Sequence, residues 1–456
     1  MKERLSLCVA TQTPAARFEV DLGEIYNKYG EAPEPLPLDM LSEGEDYSQA
    51  PGGVTQLLPS LLQDLENKNT IKKPHWISLN PLGPEIALSE TAILHSVNLP
   101  PRESALYGRF KEEFWKNIHG VEQGPIPKED FRGYALYNWL SAKKMLDLHS
   151  ENEFDLFYIH DFQLLPVGSM IGPAAPKLYR WHTPLNFGYM LPQWQNFLLN
   201  YLNNFDATIV SCEEYKRSLL ESGFDGDVYQ LYPPIDPNEY GEISDVKIRK
   251  SCDKYNIDEG DQIILVVARL DPMKGQDIAI KGFTQIAKDY PDAKLVLIGN
   301  GSFSSSKKGG LGLPKGLRWK RELEDLASSL GVSDRIIFTG FVPGEELEAF
   351  LARSDVLILP SVLEGFGLTV LEGWEYEKPV IVSSETGVAE LARDGKNSYV
   401  FNPSNPRELS EKIAKTLADP ELADELGKKG RETAKQCHLS RISEKLSEIF
   451  LETLSK

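Results

Sequence analysis

DVLILPSVLEGFGLTVLEGWEYEKP, residues 355–379, sets a strand, a loop and a helix in a row. Residues 355–359 form a short apolar run closed by Pro360, which has the length and Val/Ile/Leu content of a fully buried strand. Leu368, Leu371 and Trp374 then recur at helical spacing, which predicts a helix over 368–376. In the loop between, Gly365 and Gly367 carry no Cβ, so a ligand can approach the backbone, and the amides that open a helix suit an anion. Glu364 and Glu372 flank this loop. Two carboxylates repel a phosphate, so hydrogen bonds from sugar hydroxyls are the better use for them. A lone Gly-Phe-Gly turn is as often plain punctuation between strand and helix.

A second stretch changes that balance. Residues 263–268 form an apolar strand that runs into Arg269-Leu270-Asp271-Pro272-Met273-Lys274-Gly275, with a helix from Asp277. Arg269 offers a planar fork of donors and Lys274 a compact charge, a pair able to neutralise a diphosphate. Such a pair is usually a solvated surface feature. Here the strand before it and the matching glycine loop argue for a site.

Composition bounds the rest. A chain of 456 residues, 41% hydrophobic and 26% charged, predicts two or three globular domains. Its net charge of −19 argues against a general nucleic-acid or anionic-membrane surface. No apolar run approaches the ~20 residues of a membrane span, and residues 5–10 read as a first strand rather than a signal peptide, so the expected location is cytoplasmic. Cys8, Cys212, Cys252 and Cys437 lack paired metal-ligand spacing, and Asp225-Gly226-Asp227 has the residues of a turn, so no metal is assigned.

The first half alternates strands and helices, the pattern of a parallel sheet covered on both faces. Residues 31–37, EAPEPLP, predict an irregular or mobile excursion that reaches Ala50, followed by Gly52-Gly53 ahead of a helix. Residues 107–119, YGRFKEEFWKNIH, predict an aromatic-rich helix whose commoner use is core packing. A strand over 157–164 delivers His160 and Asp161, and the stretch 178–184 delivers His182, at the strand ends where open α/β sheets bind ligands. Residues 231–237, LYPPIDP, break both helix and strand and mark a domain boundary. Beyond it, strands are expected at 294–298, 335–339, 356–359, 380–383 and 399–401, and 439–454 has helical spacing.

The segment Glu364-GFGLTVL-Glu372 resembles the glutamate, seven residues, glutamate motif of retaining GT-B glycosyltransferases of the sucrose and glycogen synthase-like family, and Arg269 with Lys274 resembles that family's basic pair. The first half resembles trehalose-6-phosphate synthases in Gly52-Gly53, in Tyr107 with Trp115-Lys116-Asn117-Ile118-His119, in Tyr134 with Asn138, in His160-Asp161-Phe162-Gln163-Leu164 and in His182-Thr183-Pro184. It departs from them at Gln163, where they carry a second histidine, in a tyrosine-to-tryptophan spacing one residue short, and in a long insert over 302–316.

The resemblance implies an α/β GT-B fold: two Rossmann-like domains facing a central cleft, an acceptor-binding one over 1–235 and a nucleotide-sugar-binding one over 236–438, with a C-terminal helix over 439–456 crossing back to the first. The implied reaction moves glucose from a nucleoside diphosphate glucose, UDP-glucose being one candidate, to glucose 6-phosphate, forming trehalose 6-phosphate. The implied donor set is Gly53, Arg269, Lys274, Glu364, Gly365, Phe366, Gly367, Leu368, Thr369 and Glu372. Glu372 would hold the ribose, Glu364 the sugar, and His182 the sugar's C6 hydroxyl. Asp161, with Tyr107 and Trp115, would orient the acceptor, and Arg17, Lys307 and Lys308 would meet its phosphate. No cofactor is implied, with magnesium at most stimulating the reaction. The partners are small sugars, with no nucleic acid or membrane, and a homo-oligomer is left open. Free glucose or another small acceptor remains an alternative, as do a nucleotide-sugar epimerase and a non-catalytic sensor. A phosphorylase would need a pyridoxal phosphate lysine that nothing singles out.

Overall fold

The computed structural model describes residues 4–49, 53–301 and 313–455, and the side chains of residues 53, 56 and 313 lie outside that description. The chain divides into two compact units, Met1–Pro234 with Leu439–Lys456, and Ile235–His438.

The first unit is built on β1 (Leu7–Ala10), β2 (Ala16–Phe18), β3 (Leu36–Pro37), β4 (Tyr47–Gln49), β5 (His75–Leu79), β6 (Ile86–Leu88), β7 (Ile93–Val97), β8 (Leu156–His160), β9 (Lys177–Arg180), β10 (Ala207–Val210) and β11 (Asp227–Gln230). Nine of them form one sheet in the order β11-β10-β9-β8-β1-β5-β7-β6-β3, while β2 and β4 pair separately. Strand sequences with almost no polar residues are what burial on both faces demands, and the period of two sorts them. Cys8, Ala10, Phe157 and Ile159 enter an aromatic-rich core with the helices Pro101–Ile118 and Phe131–Asn152. Leu7, Val9, Leu156 and Tyr158 enter a second core with Leu58, Leu62, Ile442 and Phe450 of the helices Gly53–Asn67 and Leu439–Leu454.

Two expectations are corrected here. The strand read over 157–164 ends at His160, and Phe162–Leu164 is a 3-10 turn, because Asp161 takes φ 70° and leaves the ladder. The described part of the excursion, residues 31–49, is anchored: β3 extends the sheet edge, β4 pairs β2, and the buried Asp46 carboxylate accepts from Lys28 at 2.7 Å, from the Tyr29 hydroxyl and from the Ser42 N–H. Removing that carboxylate from water is offset by three donors.

The second unit carries β12 (Gln262–Val267), β13 (Ala293–Ile298), β14 (Ile336–Gly340), β15 (Val356–Leu359), β16 (Val380–Ser383) and β17 (Tyr399–Phe401), all parallel, in the order β14-β13-β12-β15-β16-β17. The chain adds strands on one side of β12, then returns to add the others on the opposite side. Between β12 and β15 the connections leave in opposite directions, which opens a crevice at the strand carboxyl ends.

Candidate active site

That crevice receives the two loops singled out in the sequence. Residues 268–275 follow β12 and residues 360–367 follow β15, and adjacent parallel strands bring them together. The Val362 N–H donates to the Met273 carbonyl at 2.9 Å, and Lys274 ion-pairs with Glu364, which also accepts from the Ser361 hydroxyl at 3.4 Å. Burial alone would raise the Glu364 carboxyl, but Lys274 and then Arg269 outweigh it and hold it below the usual carboxylate range. Burial lowers the Arg269 guanidinium, and Asp271, at 3.9 Å, and Glu364 oppose that.

Glycine is required at two points. Gly275 sits at φ +67°, and a Cβ there would lie 2.0 Å from the Pro360 carbonyl oxygen; Gly367, at φ +110°, would put one 2.5 Å from Leu359. Gly367 caps the helix Leu368–Glu375 without any side-chain cap, so the amides of that helix start, at Leu368 and Thr369, are open to an anion. Gly275→Ala is expected to destabilise the second unit by more than about 1 kcal/mol and to weaken nucleoside diphosphate binding with it, because φ is wrong and the loops are pushed apart. Melting temperature and calorimetric affinity check both effects, and an unchanged affinity would detach Gly275 from the site.

Glu372 stands one turn further along the same helix, and burial, reinforced by Glu239, pushes its carboxyl up to about 7. Gln276 escaped sequence reasoning. Buried at the start of the helix Gln276–Ile286, it donates to the Arg269 carbonyl at 2.7 Å and accepts from Trp319 at 3.0 Å, which fixes the Arg269 backbone. An amide at a helix start gives no sequence signal for this role.

The first unit gathers a second group at the carboxyl ends of β8 and β9. Asp161 has φ 70° and ψ 147°, a backbone region that is costly for any residue with a Cβ, and burial raises its carboxyl to about 7. The strain is held from the neighbouring helix, where the Tyr134 hydroxyl donates to the Phe162 carbonyl at 2.5 Å and the Asn138 amide donates to the Gln163 carbonyl at 3.0 Å. His182 Nε2 lies 2.9 Å from His160 Nδ1, and burial lowers both rings well below their ordinary range.

Tyr107 is buried with its hydroxyl unpartnered, and its electrostatic neighbours include Asp161. Trp115 lies two turns on, its ring stacked 4.2 Å from His119. Between them stands Lys111, unremarked in the sequence, with Nζ 5.5 Å from the Tyr107 ring. Burial lowers its amine, and Arg17, exposed on β2, lowers it further. Positions 107, 111 and 115 share one helix face, the spacing that could have revealed Lys111. Of the expected acceptor residues, Tyr107 and Asp161 influence each other's charge, Arg17 acts on Lys111, Trp115 continues the helix face of Tyr107, and Lys307 and Lys308 lie outside the described residues. Gly53 opens the helix Gly53–Asn67.

Comparison with known proteins follows the same division. Residues 247–433 match the family model of glycosyl transferases group 1, and residues 102–217 match that of trehalose synthase, N-terminal domain. A trehalose synthase of Thermococcus litoralis is 28% identical over 86% of this chain and 92% of its own. Among solved structures, sucrose-phosphate synthase from Thermosynechococcus elongatus superposes with a TM-score of 0.69 at 17% identity over 99% of this chain and 100% of that one. The trehalose-6-phosphate structure from E. coli bound with UDP-2-fluoro glucose gives 0.74 at 16% identity over 98% of each. No helix among the described residues is long and apolar enough to cross a membrane. The chain has the GT-B fold, in which a stretch matching the trehalose synthase N-terminal domain precedes one matching the group 1 glycosyl transferases.

Proposed function

We propose that this glycosyltransferase moves glucose from a nucleoside diphosphate glucose to the anomeric hydroxyl of free glucose, with retention at the donor carbon, and so makes trehalose. The observation that carries this reading is that Tyr107, Asp161 and His182 all fall within the trehalose synthase N-terminal match. The near full-length likeness to an archaeal trehalose synthase supports it. Arg269 and Lys274 stabilise the departing diphosphate, with the uncapped amides of Leu368 and Thr369 beside them. Glu372 takes the ribose hydroxyls, Glu364 with the amides from Gly365 the donor sugar, His182 its C6 hydroxyl, and Asp161 the acceptor. The bond from the donor's anomeric carbon to the diphosphate oxygen breaks. The acceptor oxygen bonds to the same face of that carbon, and its proton passes to the leaving diphosphate.

A second reading keeps glucose 6-phosphate as the acceptor, giving trehalose 6-phosphate, and Arg17 with Lys111 favours it. Two cations this close, one of them lowered by burial and by the other, stand to gain from a dianion. Crossing uridine, guanosine and adenosine diphosphate glucose with the two acceptors tests both readings. Free glucose is expected to give the higher kcat/KM. A preference for the phosphate that Arg17→Ala and Lys111→Ala both erase would promote the second reading, and transfer to neither acceptor would overturn both.

The same reading requires no metal, since Arg269 and Lys274 supply the positive charge that a diphosphate needs. Turnover is expected to survive strong chelation, with magnesium adding a modest gain by screening. Abolition by a chelator, with rescue by magnesium or manganese, would overturn this.

A further inference from the structure

On the sheet face opposite the aromatic core, His160 and Arg180 end neighbouring strands in register. Arg180 is 3% exposed and His160 1%. The Arg180 Nη2 donates to the Leu231 carbonyl at 2.7 Å, but Nε and Nη1 have no partner, nor has His160 Nε2. No described carboxylate pairs with this guanidinium; the one ionisable group found to favour its charge is the Tyr158 phenol. All three unpartnered nitrogens belong to residues that line a cavity of about 30 Å³ together with Leu57, Leu231 and Ile442. Arginine stays protonated in proteins, so it cannot escape by releasing its proton. A buried charge without a partner is costly enough that interiors almost always supply one. Space for one or two water-sized species beside converging N–H groups suits a small monovalent anion.

We propose that this cavity binds one small inorganic anion of chloride class, held by Arg180 Nε and Nη1 and by His160 Nε2, and that the anion sets the hydrogen-bond direction of the His160–His182 pair. A neutral imidazole carries one N–H. When His160 Nε2–H donates to the anion, His160 Nδ1 must accept from His182 Nε2–H across their 2.9 Å contact. His182 Nδ1 is then left bare, an acceptor for a sugar hydroxyl. The anion site stands on the cavity alone, whereas its effect on turnover rests on the role proposed for His182.

Crystals of the wild-type chain grown in bromide test the site directly. The expected result is an anomalous peak between Arg180 and His160, and water only in that cavity overturns the proposal. In solution, replacing chloride by gluconate, too large for the cavity, at fixed ionic strength is expected to lower the wild-type melting temperature by about 2 °C and to leave Arg180→Gln unmoved. An equal shift in both proteins counts against the site and needs no sugar substrate. Donor kcat/KM is expected to fall on the order of fivefold in gluconate. A bound bromide with unchanged donor kinetics would reject the coupling to His182 while leaving the glycosyl transfer reading intact.

Discussion

Arg269→Ala and Lys274→Ala are each expected to lower kcat by ~10²–10³, the scale on which removing one preorganised electrostatic group from a reacting centre is felt. Both side chains are partly buried in the crevice between β12 and β15, where water screens them less than at the surface. The two losses should differ in kind. Lys274→Ala leaves Arg269 and the Ser361 hydroxyl to hold the Glu364 carboxylate, so its carboxyl rises and the loop after β15 loses one of its ties to the loop after β12. Melting temperature should fall somewhat, and donor binding with it. Arg269→Ala removes a fork whose backbone Gln276 still holds, so the fold is kept and the defect sits in kcat. Arg269→Lys keeps the charge and loses the planar pair of donors, so it should recover only part of the rate. Steady-state kinetics with calorimetric donor affinity separates these outcomes, and near-normal turnover in either alanine variant would remove the pair from the reaction.

The crevice between β12 and β15 was legible in the sequence because its determinants are local. A buried strand, a glycine loop and a helix start lie within one short segment in each case, and the topology had only to set β12 beside β15. The six strands of the second unit were readable for the same reason, each a short apolar run between breakers. The group around the carboxyl ends of β8 and β9 was less legible. Lys111 looks like an ordinary solvated lysine until the fold places Arg17, some ninety residues earlier, against it. His160 and Arg180 look like polar ends of two strands, and only their register shows that both point inward. The irregular first loop hid its anchor too, since Asp46 declares itself only when Lys28 and Tyr29 close on it.

Asp161→Asn should separate activity from stability. Burial raises the Asp161 carboxyl to about 7, above the ~3.9 of an unfolded chain. Between those values the folded state keeps a proton that the unfolded state has released, so stability falls as pH rises from about 4 to 7, and above 7 the buried charge costs its full penalty. Asparagine has no charge to bury, and its Cβ meets the same backbone cost as that of aspartate. The variant is therefore expected to match the wild type near pH 4 and to exceed it at pH 8 by about 2–4 kcal/mol. Catalysis should move the other way. A carboxylate accepts from two acceptor hydroxyls where an amide accepts from one, so kcat/KM for the acceptor should drop about 10²-fold through lost orientation. In the wild type that constant should rise with pH through about 7 as the acid ionises, and the variant should lose this limb. Thermal melts at pH 5 and pH 8 with acceptor kinetics across the same range check both halves. A variant no more stable at pH 8 would mean that Asp161 is solvated. A more stable variant with intact acceptor kinetics would mean that the strain and the burial at this residue serve something other than the acceptor.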